Sequence, residues 1–100
     1  MFSYEVRRNA LTVWLSGELD DPMAARLRSE IDGLLDDTRV RRLIFDVSGL
    51  EFMDSSGIGL IIGRYKKVSR RGGSVAVTGM DRRIDRLFQM SGVYQVVDRL

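Results

Sequence analysis

Hydroxyl and carboxylate side chains are concentrated in one segment near the middle of the chain. Residues 52–59 read FMDSSGIG, so that Asp54 is followed directly by Ser55 and Ser56. An Asp or Ser just before an apolar helical pattern is typical of a helix N-cap. The free amide groups and the dipole at a helix start also favour negative charge on a nearby side chain. The segment therefore suits two roles, helix capping alone or a serine that carries phosphate.

These two roles differ in what they require of the serines. Capping needs only one side-chain oxygen, which Asp54 or Ser55 can supply. A phosphate adds about −1.5 to −2 charges and three strong acceptors, and so changes a docking surface without dismantling the domain. Spacing alone leaves the phosphoacceptor open, because either Ser55 or Ser56 can sit at the cap while the other faces outward.

Most catalytic chemistries are disfavoured by residue type. The chain has no His and no Cys, which removes the usual base of a serine hydrolase, the thiolate nucleophile and thiolate metal sites. The carboxylates Asp46, Glu51 and Asp54 do not match a calcium or magnesium loop. We therefore expect a protein without enzymatic activity, metal or cofactor.

Three glycines lie in or just after this segment. Gly57, Gly59 and Gly63 follow the spacing G-x-G-x-x-x-G, which lacks the third position of a dinucleotide-binding fingerprint. Glycines four apart on a helix instead predict close approach of that helix to the sheet, because they present no side chain there.

The apolar pattern predicts the element order β-β-α-β-α-β-α-β. Alternation at 2–6 and 11–15 indicates an N-terminal hairpin, and the apolar run at 43–47 indicates a buried strand. Further strands are predicted at 74–78 and 93–97. Helices are predicted from Asp20-Asp21-Pro22 to residue 35, over 57–71 and between 81 and 92. The result is one α/β domain of residues 1–100, with a mixed, mainly parallel sheet and flanking helices.

This topology gives the polar segment its position. Residues 48–59 connect a central strand to a helix, and so lie at the carboxyl end of the sheet, where open α/β folds place their sites. Trp14 falls on the opposite face of its strand from Leu11, Val13 and Leu15, so it either packs under a helix or marks an exposed contact, and we expect the first.

Charge and hydropathy narrow the range of partners. Sixteen basic and fourteen acidic residues leave a formal charge of +2, and the arginines at 39–42 and 82–86 are typical of solvated faces. Nucleic acid binding is therefore not expected.

The first residues lack a signal-peptide pattern, and no apolar run is long enough to cross a bilayer. With Cys absent, a cytoplasmic protein is expected.

Four short segments resemble a STAS domain. They are GELD at 17–20, FMDSSGIG at 52–59, GRYK at 63–66 and RLFQMSG at 86–92. Their order and spacing are similar to those of the family's anti-sigma factor antagonists, above all to those of the sporulation sigma-F system. The resemblance runs from the hairpin to about Val97 and implies the STAS fold.

The resemblance also implies a function. In that family the second serine of Asp-Ser-Ser-Gly accepts phosphate from the partner anti-sigma factor, a dimeric, ATP-dependent serine kinase. This assigns phosphorylation to Ser56 and partner binding to Asp20, Asp54, Ser55, Ser56 and Gly57. The unphosphorylated antagonist binds the anti-sigma factor and frees the sigma factor, and a PP2C-type phosphatase restores this form. A regulatory protein that is monomeric when free is implied.

Two departures from the family pattern and one alternative function remain. After Asp20 the family has a histidine-containing stretch, whereas this chain has Asp21-Pro22-Met23, so partner specificity is expected to differ. The sequence ends at Leu100, where many relatives have a further helix. STAS domains also serve as scaffold or regulatory modules in stressosomes, anion transporters or lipid transport, without this kinase cycle, and that is the alternative.

Overall fold

The sheet combines one antiparallel hairpin with parallel strands. The computed structural model describes all residues from 1 to 100. Five strands lie in the spatial order β1-β2-β3-β4-β5, and only the β1–β2 pair is antiparallel. The strands are β1 (Phe2–Arg7), β2 (Ala10–Leu19), β3 (Arg42–Met53), β4 (Ser74–Thr78) and β5 (Asp98–Arg99). The predicted α/β class with a mixed, mainly parallel sheet is confirmed.

An aspartate caps the start of each of the three helices. The helices are α1 (Asp21–Leu35), α2 (Ser55–Ser69) and α3 (Arg82–Ser91). Their N-caps are Asp20, Asp54 and Asp81, and each of these carboxylates accepts a backbone N–H from the first turn. Such caps satisfy amide groups that a helix start leaves without a partner. The cap residues therefore fix where the chain passes from strand to helix.

One face of the sheet carries the core. The register aligns Val13 of β2 with Phe45 of β3 and Phe45 with Val77 of β4, and all three side chains are fully buried. Buried residues of all three helices join the same apolar cluster, including Ile31, Ile61 and Phe88. Alternate strand residues thus bury one face against the helices.

The last predicted strand is wrong. Residues 93–97 begin with a 3₁₀ turn at Val93–Gln95, and the final strand is the short β5 at Asp98–Arg99. Gly92 ends α3 in the left-handed conformation, with φ of 83°. Val93 and Val97 are the buried residues of this segment. In a strand Gln95 would share the face of Val93 and Val97 and be buried with them, whereas it is exposed.

The third strand is longer than its apolar run. It continues through Met53, so the connection predicted for 48–59 reduces to Asp54 alone. The β2–β3 register shifts twice, between Trp14 and Ser16 and between Gly17 and Glu18. Register shifts of this kind bend a strand and increase its local twist. Pairing of β3 with β2 continues past them as far as Leu19 and Met53.

Trp14 does not pack under a helix as expected. Its side chain is 38% exposed, while Val13 and Leu15 on either side are buried. The core-facing side of β2 meets the helices, and Trp14 points to the other face of the sheet.

No helix has the length and apolar character needed to span a membrane.

Candidate functional site

Two strand-to-helix connections meet at one end of the sheet. Leu19 at the end of β2 is paired with Met53 at the end of β3. The parallel strands therefore deliver Asp20 and Asp54 side by side, and the backbone N–H of Asp54 donates to the carbonyl of Leu19 at 3.4 Å. We call this end the serine pole, and define it by the residues Asp20, Asp21, Asp54, Ser55 and Ser56.

Asp20 and Asp54 serve as structural caps within the serine pole. Asp20 Oδ1 accepts the backbone N–H of Met23 at 3.1 Å, and Asp54 Oδ1 accepts that of Ser56 at 2.8 Å. Capping by Asp54 leaves both serine hydroxyls free of that role. The serines are thus the first two residues of a helix whose start is already satisfied.

The two serines differ in exposure and in partner. Ser55 is exposed, and Ser56 is partly exposed. The Ser56 hydroxyl donates to Asp21 Oδ1 at 3.3 Å, across from α2 to the first residue of α1. Sequence reasoning missed this role of Asp21, although two adjacent aspartates before a proline were a visible signal. Both hydroxyls lie within reach of solvent.

Gly57, which directly follows the two serines, is packed closely against the sheet. It is buried, and a Cβ built there would lie 2.7 Å from Met53 Cγ and 2.9 Å from Leu19 Cδ2. The predicted close approach of α2 to the sheet is therefore confirmed at Gly57. It is wrong at Gly59 and Gly63, where a Cβ would meet no atom within 4 Å. The absence of a side chain at Gly57 lets the start of α2 settle against β2 and β3.

The serine pole combines negative side chains with the positive ends of helix dipoles. Glu18, Asp20, Asp21 and Asp54 lie at or next to the starts of α1 and α2. The dipoles at these starts stabilise the carboxylates. These side chains do not converge as a group of three that could hold a metal ion. The arrangement suits recognition by a surface that carries positive charge.

The large pKa shifts lie away from the serine pole. Hydrogen bonds from the side chain and backbone of Arg39 lower the pKa of the partly exposed Asp37 to about 2. Burial, followed by a 2.5 Å hydrogen bond to Asp85, raises the pKa of Tyr94 to about 12. Arg99 of β5 pairs with the same carboxylate at 3.1 Å. These groups therefore belong to the structural framework.

Comparison with known proteins connects this geometry to a family. The sequence model of the STAS domain matches residues 1–100. The chain is 37% identical over 93 residues to the anti-sigma F factor antagonist of Paenibacillus polymyxa, covering 93% of this chain and 80% of that protein. It is 33% identical over 91 residues to the anti-sigma-B factor antagonist of Bacillus subtilis, covering 90% and 81% respectively.

Solved structures give the same relationship. The anti-sigma factor antagonist SpoIIAA in its unphosphorylated form superposes with a TM-score of 0.82 at 27% identity, covering 100% of this chain and 87% of that one. The Bacillus cell fate determinant SpoIIAA in the phosphorylated form superposes with a TM-score of 0.80 at 29% identity, covering 100% and 91%. The fold described above is thus shared by a protein that exists with and without phosphate.

Proposed function

The chain belongs to the STAS domain family, and on that premise we propose that it acts as an anti-sigma factor antagonist controlled by phosphorylation of Ser56. The relatives named above support the proposed function as an anti-sigma factor antagonist. The proposed control by phosphorylation rests on one observation, which is the accessible Ser56 hydroxyl at the start of α2, beside the Asp20 connection. We infer a binding protein of the cytoplasm, and not an enzyme.

The serine pole would form the docking surface for the anti-sigma factor. Asp20, Asp54, Ser55 and Ser56 are brought to one end of the sheet by the parallel strands, and buried Gly57 holds the serines in place. We infer that the partner is a dimeric serine kinase that binds ATP and that it approaches with cationic side chains. Binding would release the sigma factor held by that kinase.

Phosphate on Ser56 would then weaken docking. It places about two further negative charges at a contact already rich in carboxylates, and it removes a hydroxyl donor. The caps of α1 and α2 do not use the Ser56 hydroxyl, so the fold should persist after modification. A PP2C-type phosphatase would return the protein to its binding form.

The decisive experiment is incubation with the cognate anti-sigma kinase and ATP, followed by peptide mapping of the labelled residue. We expect label on Ser56, loss of label in Ser56→Ala, and full labelling of Ser55→Ala as the matched control. Label on Ser55 would contradict the site assignment. Stable binding without any phosphate transfer would instead favour a scaffold role.

Binding measurements complete this test. Ser56→Asp should bind the kinase at least tenfold more weakly than the unmodified protein, because a charge replaces the hydroxyl at the contact. Ser56→Ala should bind normally and stay active in the presence of ATP. Equal binding by Ser56→Asp, with unchanged circular dichroism, would show that the serine pole is not the docking surface.

A further inference from the structure

The contact between Asp21 and Ser56 is not part of the cap of either helix. Asp20, and not Asp21, caps α1, and Asp54 occupies the backbone N–H of Ser56. The ion pairs of the molecule use the carboxylates of other residues, namely Asp32, Asp37, Asp85 and Asp98. The exposed Asp21 carboxylate thus accepts a hydrogen bond from the Ser56 hydroxyl, 3.3 Å away.

Phosphorylation would reverse the sign of this contact. The unmodified hydroxyl donates its proton to Asp21 Oδ1, which is a favourable interaction. In phosphoserine the proton is replaced by a phosphoryl group, so the same oxygen has nothing to donate and the new oxygens only accept. A carboxylate within a few ångströms of a dianion repels it, and this repulsion is weakly screened at such short range.

We propose that Asp21 disfavours the phosphorylated state of Ser56 and so biases the protein toward its unmodified form. The proposal rests on the proposed function for its biological meaning, since it concerns regulation at the same serine. Asp21 is a positioning residue here, because it acts on the acceptor side chain. The groups that face Ser56 are Asp21 from α1 and Asp54 from its own helix cap, and both are acidic.

Asp21 and Asp54 differ in what else their carboxylates do in the fold. Removing Asp54 would also remove the cap of α2, so its effect on phosphate would be mixed with a loss of helix stability. Removing the Asp21 charge leaves both caps in place. Asp21→Asn is therefore the clean substitution, and Asp21→Ala is a second variant that removes the same charge differently.

Phosphoserine installed at position 56 by genetic code expansion allows a direct test without any kinase. The second ionisation of the phosphate is followed by ³¹P NMR between pH 4 and 9 in the native background, in Asp21→Asn, in Asp21→Ala and in Glu30→Gln. Glu30 is exposed on the same helix, nine residues away, or about 13 Å along its axis. Its substitution changes net charge equally and is the matched control.

Removing the carboxylate should favour the dianion. We expect the pKa of the phosphate, normally about 6, to fall by about 0.5 unit or more in both Asp21 variants and to stay unchanged in Glu30→Gln. Equal pKa values in all four proteins, or an equal fall in Glu30→Gln, would overturn the proposal. Because phosphoserine is incorporated during translation, this result is independent of the kinase assay. A kinase that ignores Ser56 would contradict the proposed function alone.

Discussion

Gly57 and Gly59 lie two residues apart on α2 in opposite surroundings. Gly57 faces the buried side chains of Leu19 and Met53, whereas Gly59 is exposed beside open space. In a helix interior, alanine is more favourable than glycine by up to about 1 kcal/mol. Alanine at position 59 should therefore stabilise the helix. At position 57 the same stabilisation is opposed by the cost of displacing packed side chains.

The two alanine variants should therefore change stability in opposite directions. We expect Gly59→Ala to stabilise the protein by about 0.5–1 kcal/mol, and Gly57→Ala to destabilise it by about 1 kcal/mol, because overpacking costs about 1–3 kcal/mol. Urea unfolding followed by circular dichroism measures both. A stabilised Gly57→Ala would mean that Met53 and Leu19 can move aside freely.

Residue types in the sequence predict some of these local roles and not others. Asp20 and Asp81 are typical cap residues, and the structure uses both as caps. The Asp54 cap also follows from its position before an apolar helical pattern. The exposure of Gly59 does not follow, because apolar residues at 58 and 60–62 lie on several sides of α2 and do not single out one buried face. The Asp21 contact is equally hidden, since it joins residues 35 positions apart.

At the scale of elements, α1 and α2 share a charged contact. Arg64 of α2 is 9% exposed, and its Nε lies 3.1 Å from Asp32 Oδ1 of α1, with Lys67 Nζ 3.5 Å from the same oxygen. The Nε–H of Arg64 is not aligned with that oxygen, so Nε makes no hydrogen bond despite the short distance. Nη1 of the same side chain also has no hydrogen-bond partner. The contact is thus an ion pair with unsatisfied donors.

Removing one partner or the other should therefore have unequal effects. Asp32→Ala leaves the guanidinium buried without its carboxylate, and we expect a loss of about 1–2 kcal/mol, which is below the usual buried-pair value because Asp32 is one-third exposed. Arg64→Met removes the unsatisfied donors at similar volume and should stay within about 1 kcal/mol of the native protein. Urea unfolding compares them. A larger loss in Arg64→Met would show that the ion pair is net stabilising.

The elements themselves could largely be predicted, and their ends could not. The hairpin, the strand at 74–78 and three helices follow from apolar periodicity and capping residues. The end of β3 was missed because residues 48–53 bury only Leu50 and Met53, three positions apart, which breaks the alternation typical of a strand, while pairing with β2 continues. The final strand was missed because β5 is only two residues long and entirely exposed, which leaves no apolar signal.

Across the whole molecule, the far edge of the sheet is held by a polar network. Tyr94 packs edge-on against Phe88 of α3 and donates to Asp85, and Arg99 of β5 lies over the Tyr94 ring at 5.1 Å. The network joins the last strand to α3. The raised pKa of Tyr94 shows that the fold prefers the neutral phenol.

Because the fold prefers the neutral phenol, the contribution of Tyr94 to stability should be lost at high pH. The pKa of Tyr94 is raised from 10.0 to about 12, so its contribution is complete below pH 10 and is lost as the pH rises through 12. Tyr94→Phe should cost about 1 kcal/mol at pH 7, through the lost hydrogen bond, and progressively less above pH 10. Urea unfolding at pH 7 and pH 11.5 measures this. An equal difference at both values would contradict the assignment.

The starts of α1 and α2 and the end of α2 carry opposite charges. Both helices start among carboxylates, and α2 ends among Lys66, Lys67 and Arg70, with Arg71 donating to the carbonyl of Leu35 at the end of α1 at 2.7 Å. A body with opposite charges at its two ends is turned by the field of an approaching partner before the surfaces touch. Diffusional encounters would then begin in the productive orientation, and added salt would slow association more than it shortens the lifetime of the complex.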